Sequence, residues 1–188
     1  MQLRTAATPL VARRHENWLA RRWYHTPKTH RGYSVRQIAP GDRRLLAEFA
    51  LSLGQATADR ELPAVRAISD MLFDRVLAGG SDMAMGFAAL ESTAAGDRVI
   101  GVAAYAPDNL DEAGFGVAVD AAFRGEHVGR ILLATLVRHA KRVGIRRLRG
   151  DMLWSNRPMQ VLAEATGFAV ETAVGDRTRR TLSLTLKH

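Results

Sequence analysis

The feature that most constrains the fold of this chain is the stretch 117–137, VAVDAAFRGEHVGRILLATLV. An apolar run of strand character ends near Asp120, and a helical pattern begins at Val128 after a short loop rich in glycine and arginine. The first N–H groups of a helix have no intrahelical partner and carry partial positive charge. The stretch therefore predicts either an anion-binding site at the start of this helix or an ordinary strand-to-helix turn.

The remaining pattern alternates strands and helices from Tyr33 onward. Strands are predicted over 33–38, 83–91, 98–106, 113–119, 145–153 and a final pair around Gly175-Asp176. Helices are predicted from Asp42, over 62–77, over Val128–Val143 and over 157–166. The three strands between the second and third of these helices suggest an antiparallel meander. A right-handed crossover through the long helix makes the strands on either side of it parallel. The fold class is therefore α/β (α+β), with a mixed, mostly antiparallel sheet.

Charge is distributed unevenly along the chain. The net charge is +8, and residues 1–31 hold seven of the 27 Lys and Arg residues but only one acid, Glu16. We therefore predict a basic N-terminal extension over 1–32 and a nearly neutral domain over 33–188. The extension could contact a membrane surface, a nucleic acid or a partner, or it could pack Trp18 and Trp23 on the domain. The balanced domain argues against nucleic acid as the main partner.

Composition and motifs exclude several classes of function. The chain has no cysteine, so disulfides, thiolate metal sites and a cysteine nucleophile are absent. No apolar run approaches the roughly 20 residues that a membrane span needs. His127 and His139 lie in no zinc-binding pattern, and the chain has no G-x-S-x-G motif. We expect a cytoplasmic protein with no metal and no membrane span.

Two segments resemble the GNAT acetyltransferase family. The loop 124–130 is similar to the family's motif A, Gln/Arg-x-x-Gly-x-Gly/Ala, with Arg124 at the first position and Gly129 at the last, although His127 stands where glycine is usual. The segment 154–170, WSNRPMQVLAEATGFAV, resembles the family's Asn-containing segment that opens the last helix and ends in Gly-Phe. Its residue pattern looks closest to that of bacterial protein-lysine acetyltransferases. The resemblance implies the GNAT fold, in which a central pair of parallel strands splays apart.

The resemblance also implies the cofactor-binding residues. Acetyl-CoA is expected as co-substrate, its pantetheine arm paired with backbone groups of Val117 and Val119 and bonded by Asn156, which could equally be a plain helix cap. Its pyrophosphate is expected on the amides of the loop. These binding residues are Val117, Val119, Arg124, Gly125, Glu126, His127, Val128, Gly129, Arg130 and Asn156.

The resemblance further implies that the protein is an N-acetyltransferase, which moves the acetyl group directly to an amine in a ternary complex. Glu112 is the predicted general base, with Asp111 and Asp120 as rivals, and the backbone of Val119 is the predicted contact for the oxyanion or thioester. Many relatives carry a tyrosine seven residues after the asparagine to protonate the departing thiolate. That position is Ala163 here, and Tyr105 is a distant substitute.

Several alternatives stay open at this point. The acceptor could be a small molecule or a protein lysine, and a homodimer is neither required nor excluded. Ala163 and His127 also fit a catalytically weak acyl-CoA-binding sensor or regulatory protein with the same fold. A binder or modifier of RNA or ribosomal protein, based on the arm, is the third hypothesis.

Overall fold

The protein is built on one large sheet. The computed structural model describes residues 22–25, 32–56, 68–78, 84–109 and 111–187. The strands are β1 (Arg22–His25), β2 (Gly32–Gln37), β3 (Met85–Thr93), β4 (Gly96–Pro107), β5 (Glu112–Val119), β6 (Arg147–Leu153), β7 (Ala169–Ala173) and β8 (Asp176–Thr185). They form an eight-stranded sheet in the order β1-β2-β3-β4-β5-β6-β8-β7. Every pairing is antiparallel except that of β5 with β6.

Helices cover the sheet on both faces. They are α1 (Arg43–Ala56), a π-helix (Met71–Leu77), α2 (Val128–Val143) and α3 (Arg157–Ala165). The predicted helix over 62–77 is described only from residue 68 and is wound as a π-helix over much of that part; residues 62–67 lie outside the described residues. In the described part of the chain, no helix is long and apolar enough to cross a membrane.

The structure confirms the predicted fold class. The meander β3-β4-β5 is antiparallel, and β5 and β6 are the parallel pair joined by α2. One strand was not predicted: β1 pairs with β2 at the edge of the sheet, so part of the basic extension belongs to the sheet. The other residues of the extension, 1–21 and 26–31, lie outside the described residues. The division into 1–32 and 33–188 stays a prediction.

Two apolar cores hold the layers together. On one face, α2 packs Leu132, Leu133 and Leu136, all fully buried, against β3, β4 and β5. On the other face, α1 and the π-helix pack residues such as Leu46 and Leu72 against the opposite sides of β3 and β4. Alternation along the strands explains both cores, because successive side chains of β3 and β4 are buried on opposite faces.

An ion pair fixes the entry into α1. The carboxylate of Asp42 accepts hydrogen bonds of 2.5 and 2.6 Å from the Arg36 guanidinium and of 2.8 Å from the Ala39 amide. Burial alone would raise the pKa of Asp42, but these hydrogen bonds outweigh it, so the pKa of this carboxyl lies below its ordinary value. Asp42 thus acts as a buried clamp between β2 and α1.

We predict that Asp42→Asn lowers the free energy of unfolding by about 1–3 kcal/mol at neutral pH, because Arg36 loses its ionic partner. Because the pKa of Asp42 is lower in the folded state than its ordinary value of about 4, the ionised carboxylate stabilises the fold above about pH 4. This stabilisation is lost as the pH falls through the pKa of the folded state. Urea unfolding between pH 7 and pH 3 should therefore show the difference from wild type shrinking in acid. Glu48→Gln, which breaks the exposed Arg44–Glu48 pair, should change stability by less than about 0.5 kcal/mol. A deficit that is constant across pH would contradict the ionic clamp.

Candidate functional site

The central opening of the sheet arises where β5 and β6 separate. The two strands pair at only three positions, and the last of them joins Gly114 to Arg149. Beyond it, β6 continues to pair with β8 on its other side, and β5 with β4. The ring of Phe115 lies against Gly150, where a Cβ would stand 2.9 Å from the ring, and it packs on Phe168 at 4.8 Å between centroids. The predicted splay of the parallel pair is therefore present.

The backbone of β5 presents hydrogen-bonding groups to this opening. The Asp120 amide donates to the Ile100 carbonyl just past the Val119–Gly101 pair, which identifies that pair as one without direct hydrogen bonds. The amide and carbonyl of Val119 therefore point away from β4. Because the pattern alternates along the strand, those of Val117 do the same. Both residues thus turn an unpaired strand edge toward the gap, and their pairing with a pantetheine arm stays a prediction.

The loop after β5 is held in place by its own polar groups. The Asp120 side chain caps a 3-10 turn, Ala121–Phe123, by accepting a 2.8 Å hydrogen bond from the Ala122 amide. The ring of Phe123 is buried, and the Arg98 guanidinium lies 5.5 Å from its centroid and 3.8 Å from the Asp120 carboxylate. Asp120, a rival for the general base, is therefore part of the loop's framework.

His127 takes a backbone conformation that normally favours glycine. Its φ is +63°, and within the described residues it is the one non-glycine residue with positive φ. It occupies the N-cap position of α2 without a side-chain capping bond. The left-handed region explains why glycine is usual at this position of motif A, and histidine accepts a cost of about 1–2 kcal/mol to adopt it. The imidazole is exposed and lines the cavity described below.

Not all amides of the loop are available to an anion. Those of Arg124 and Glu126 already donate to the carbonyls of Ala121 and Phe123, both at 3.3 Å. This corrects the expectation that every amide from 124 to 130 points at the ligand, because the preceding turn uses two of them. The first bond of the α2 ladder runs from Ile131 to His127. In the described part of the chain, the remaining loop and first-turn amides have no backbone acceptor; they are those of Gly125, His127, Val128, Gly129 and Arg130.

Glu126 has a different environment from its neighbours in the loop. Its side chain is buried, and its Oε2 has no hydrogen-bond partner in the described structure. Glu126 is not among the residues that line either cavity near the opening. Its predicted place in the anion site is therefore supported neither by its amide nor by its side chain.

A cavity of about 650 Å³ lies beside the loop, and we call it the loop-side cavity. Its walls include the backbone of Val117–Val119, the start of α2 and the start of α3. Among the described residues, its ionisable lining is Arg124, His127, Arg130 and Arg157, with no carboxylate. Several cationic side chains beside open helix N–H groups suit a phosphate-bearing ligand.

Asn156 joins this cavity to a second one. Its Oδ1 accepts a 3.1 Å hydrogen bond from the Met159 amide, which confirms the helix cap. The residue also lines both cavities, and its side-chain Nδ2 makes no hydrogen bond in the described part of the chain. The two interpretations of Asn156 are therefore compatible, since capping uses the oxygen and leaves the amide nitrogen.

The second cavity, of about 270 Å³, lies between the separated strands, and we call it the strand-side cavity. Its walls are mostly apolar and include Ile68, Met71, Phe115 and Leu182. Among the described lining residues, the charged ones are Asp151 and Arg179. The two cavities share lining residues at Ile68, Val117, Asn156 and Met159, so they adjoin across the opening.

Glu112 lies at the closed end of the strand pair. Its carboxylate is 3.7 Å from a guanidinium nitrogen of Arg147 and 4.0 Å from one of Arg149, and it lines neither cavity. It lies four positions before Gly116 in the opening, a distance of about 13 Å along the strand. Its assignment as general base stays a prediction. The rival Asp111 is exposed and pairs with Arg146 at 3.3 Å.

The two candidate positions for a proton donor lie in the core. The Tyr105 hydroxyl is fully buried and hydrogen-bonded to His139 Nδ1 at 2.9 Å, and burial raises the pKa of this tyrosine. Ala163 is also fully buried, and its carbonyl accepts hydrogen bonds at the end of α3. Within the described residues, no serine, threonine or tyrosine lines either cavity.

The sequence did not single out Asp151, Arg157 or Arg179. Asp151 could have been noticed, because alternation in 145–153 places it on the face opposite the buried Leu148 and Met152. Arg157 follows directly on the singled-out Asn156. No sequence pattern indicated a role for Arg179, because its place beside Asp151 depends on the pairing of β8 with β6.

The chain matches one protein-family model. The model is described as the acetyltransferase (GNAT) family, and it matches residues 58–168 of the 188. The matched range covers the meander, the loop after β5, α2 and the segment from Asn156 to Phe168. More than half of the chain is therefore included.

Solved structures share the fold. The GNAT domain of S. lividans PAT has a TM-score of 0.64 at 20% identity, covering 90% of this chain and 100% of that one. The yncA protein from Salmonella typhimurium, a putative acetyltransferase with its cofactor acetyl-CoA, has a TM-score of 0.62 at 20% identity, with coverages of 83% and 95%. A cAMP-binding acyltransferase from Mycobacterium smegmatis has a TM-score of 0.60 at 18% identity, with coverages of 90% and 48%. The likeness confirms the predicted fold.

The left-handed conformation of His127 gives a stability prediction. His127→Val should lower the free energy of unfolding by about 1–2 kcal/mol, because a β-branched residue strongly disfavours positive φ. His127→Gly should stay within about 1 kcal/mol of wild type, since relief of that cost offsets the greater chain freedom of glycine. Urea unfolding measures both. At Arg124, whose φ is −65°, the valine variant should be at least as stable as the glycine variant. Equal stability of the two His127 variants would contradict the argument.

Proposed function

This chain belongs to the GNAT acetyltransferase family, and we propose that it is an acetyl-CoA-dependent N-acetyltransferase acting on the amine of an acceptor. The observation that carries the proposal is the junction of an open strand edge with a cation-lined cavity at a helix N-terminus. Val117 and Val119 provide the edge, and the loop before α2 provides the cavity. A ligand that is a chain of amides at one end and a diphosphate at the other matches both.

Each part of acetyl-CoA has a complementary surface in this proposal. The pantetheine amides pair with the exposed backbone of Val117 and with the carbonyl of Val119, as an added strand would, and the amide of Val119 is left for the reacting carbonyl. The diphosphate accepts hydrogen bonds from the open amides at the start of α2 and from Arg124 and Arg130. The Nδ2 group of Asn156 donates from the opposite wall. The thioester then lies near the strand opening, within reach of the strand-side cavity.

The reaction is a direct transfer. The acceptor ammonium loses a proton, its nitrogen lone pair bonds to the thioester carbonyl carbon, and the amide of Val119 donates to the oxyanion that forms. The C–S bond then breaks, and the nitrogen loses its second proton. The products are an N-acetyl amide, CoA as a thiol and one proton released to solvent. Since no hydroxyl side chain lines the described cavities, water is the proposed proton donor to the thiolate.

A competing function has a specific observation in its favour. With Glu112 at the closed end of the strands and no hydroxyl donor among the described cavity residues, the protein could bind acyl-CoA without turning it over. Such a protein would be a sensor or regulator. Binding and turnover therefore have to be measured separately.

We predict that the protein binds acetyl-CoA and releases thiol when amines are supplied. Arg124→Gln and Arg130→Gln should each weaken acetyl-CoA binding by about tenfold, because each removes a charged hydrogen-bond donor. Arg138→Gln, a matched change at an exposed position of α2 that lines neither cavity, should leave binding unchanged. Calorimetric titration measures binding, and a thiol assay over a panel of amines measures turnover.

Three results separate the hypotheses. Binding with turnover supports the transferase. Tight binding without turnover on any amine, lysine peptides included, supports the sensor. No binding of acetyl-CoA at millimolar concentration overturns both.

The general base yields a separate prediction. If Glu112 accepts the proton through a chain of water molecules, Glu112→Gln should lower kcat by about 100-fold with little effect on acetyl-CoA binding. Asp111→Asn removes the rival carboxylate, which is exposed and pairs with Arg146, and should leave kcat unchanged if Glu112 is the base. An unaltered kcat in Glu112→Gln would restrict Glu112 to pairing with Arg147 and Arg149. Initial rates across pH provide the measurement.

A further inference from the structure

The strand-side cavity has an unusual pair of charges for so apolar a site. Its lining includes Ile68, Met71 and Leu153, but also one carboxylate, Asp151, and one guanidinium, Arg179. We propose that it binds the acceptor as a small amino acid with a free amino group, a free carboxylate and an apolar side chain. The inference rests on the proposed function, because it names the acceptor class of that same site.

Strand register places the two charges on one face of the sheet. Asp151 stands opposite Thr181, and Arg179 stands opposite Leu153, two residues further along β6. The two charged residues are therefore diagonal neighbours, about 7–8 Å apart between their backbones. An ammonium and a carboxylate attached to the same carbon fit between a carboxylate and a guanidinium at this spacing.

The opening leaves room for such a molecule. If β5 and β6 had stayed paired, Asp151 would lie opposite Gly116. The side-chain position of Gly116 is instead filled by Ile68, whose Cδ1 lies 2.6 Å from where a Cβ would stand. Ile68 and Met71 thus form an apolar wall over the gap, facing the charged residues of β6 and β8.

Both charged groups have capacity for a ligand. The Asp151 carboxylate is exposed, and its Oδ1 accepts a 3.1 Å hydrogen bond from the Thr181 hydroxyl, which orients it. Arg179 is half exposed, and its Nε lies 3.7 Å from Asp176, so its terminal nitrogens can bind a carboxylate side by side. Asp151 is also the one carboxylate among the described lining residues, which places an ammonium beside it.

A protein lysine does not satisfy this arrangement. Its side-chain ammonium would pair with Asp151 but would bring no carboxylate to Arg179. A cavity of about 270 Å³ also suits a single small molecule better than a peptide segment. The two charges and the apolar wall therefore favour a free amino acid as acceptor.

The experiment compares matched acceptors with the acetyl-CoA-saturated protein. Leucine, methionine and phenylalanine are each tested beside their amides, which lack the carboxylate charge, and beside Nα-acetyl-lysine amide. We expect kcat/KM to be at least about tenfold higher for the best free amino acid than for its amide. Arg179→Gln should remove this preference mainly through KM, and Arg179→Lys should restore part of it.

Two further variants complete the design. Asp151→Asn should lower kcat/KM for free amino acids and for amides alike, because both carry the ammonium. The controls are Arg177→Gln and Glu171→Gln, which alter matched charges on β8 and β7 outside both cavities. Neither control should change the preference.

The possible outcomes separate this inference from the proposed function. The acceptor class is wrong if lysine derivatives or amides react as fast as free amino acids and Arg179→Gln has no effect on the preference. That result would leave the proposed transferase activity intact. If no amine is acetylated, calorimetric binding of these amino acids to the CoA complex decides the inference on its own. Binding that Arg179→Gln abolishes supports it, and the absence of binding overturns it.

Discussion

The site depends on the early separation of β5 from β6. Every backbone amide and carbonyl that a sheet leaves unpaired in a partly buried place costs free energy unless water or a ligand satisfies it. Val117 and Val119 are partly buried and turn such groups into the gap. On the β6 side of the gap, the ring of Phe115 lies against Gly150 just beyond the last β5–β6 pair. An extended chain of amides would pair with this edge as an added strand, which is the role proposed for the pantetheine arm of acetyl-CoA.

The two ends of the opening differ in electrostatics, and this gives the site its direction. The loop-side cavity offers cationic side chains and open amides at the start of α2, which attract a polyanion. Among its described lining residues, the strand-side cavity offers one charge of each sign on an apolar background. In the proposed function, a phosphate-bearing molecule is bound at one end, and its far terminus reaches a pocket of different chemistry. Asn156, which lines both cavities, lies at the boundary.

Local chemistry in the sequence determined much of this arrangement. The helix Val128–Val143 was predicted with its observed bounds because its apolar face and the glycine after it are local signals, and Gly144 takes the expected positive φ of 93°. The anion-binding loop was also inferred from local residues, among them Arg124 and Gly129, and it stays a prediction. The strand β1 was missed because its pairing with β2 is not encoded in its own short run. The availability of individual loop amides also needed the structure, since a 3-10 turn uses two of them.

Alternation along a strand tells which face a side chain is on, but not which stretch of the strand lies open. Glu112 and Asp151 lie on the same face of the sheet, since Glu112 pairs with Arg147 and Asp151 is four residues further along β6. Sequence alone favoured Glu112, because it introduces the central strand. The point at which pairing stops, just after Gly114, leaves Glu112 on the closed side between two arginines and Asp151 on the open side against the cavity. A shift of the separation by a few residues would exchange their surroundings. The chemical role of each carboxylate is therefore set by strand pairing, a property of the whole sheet.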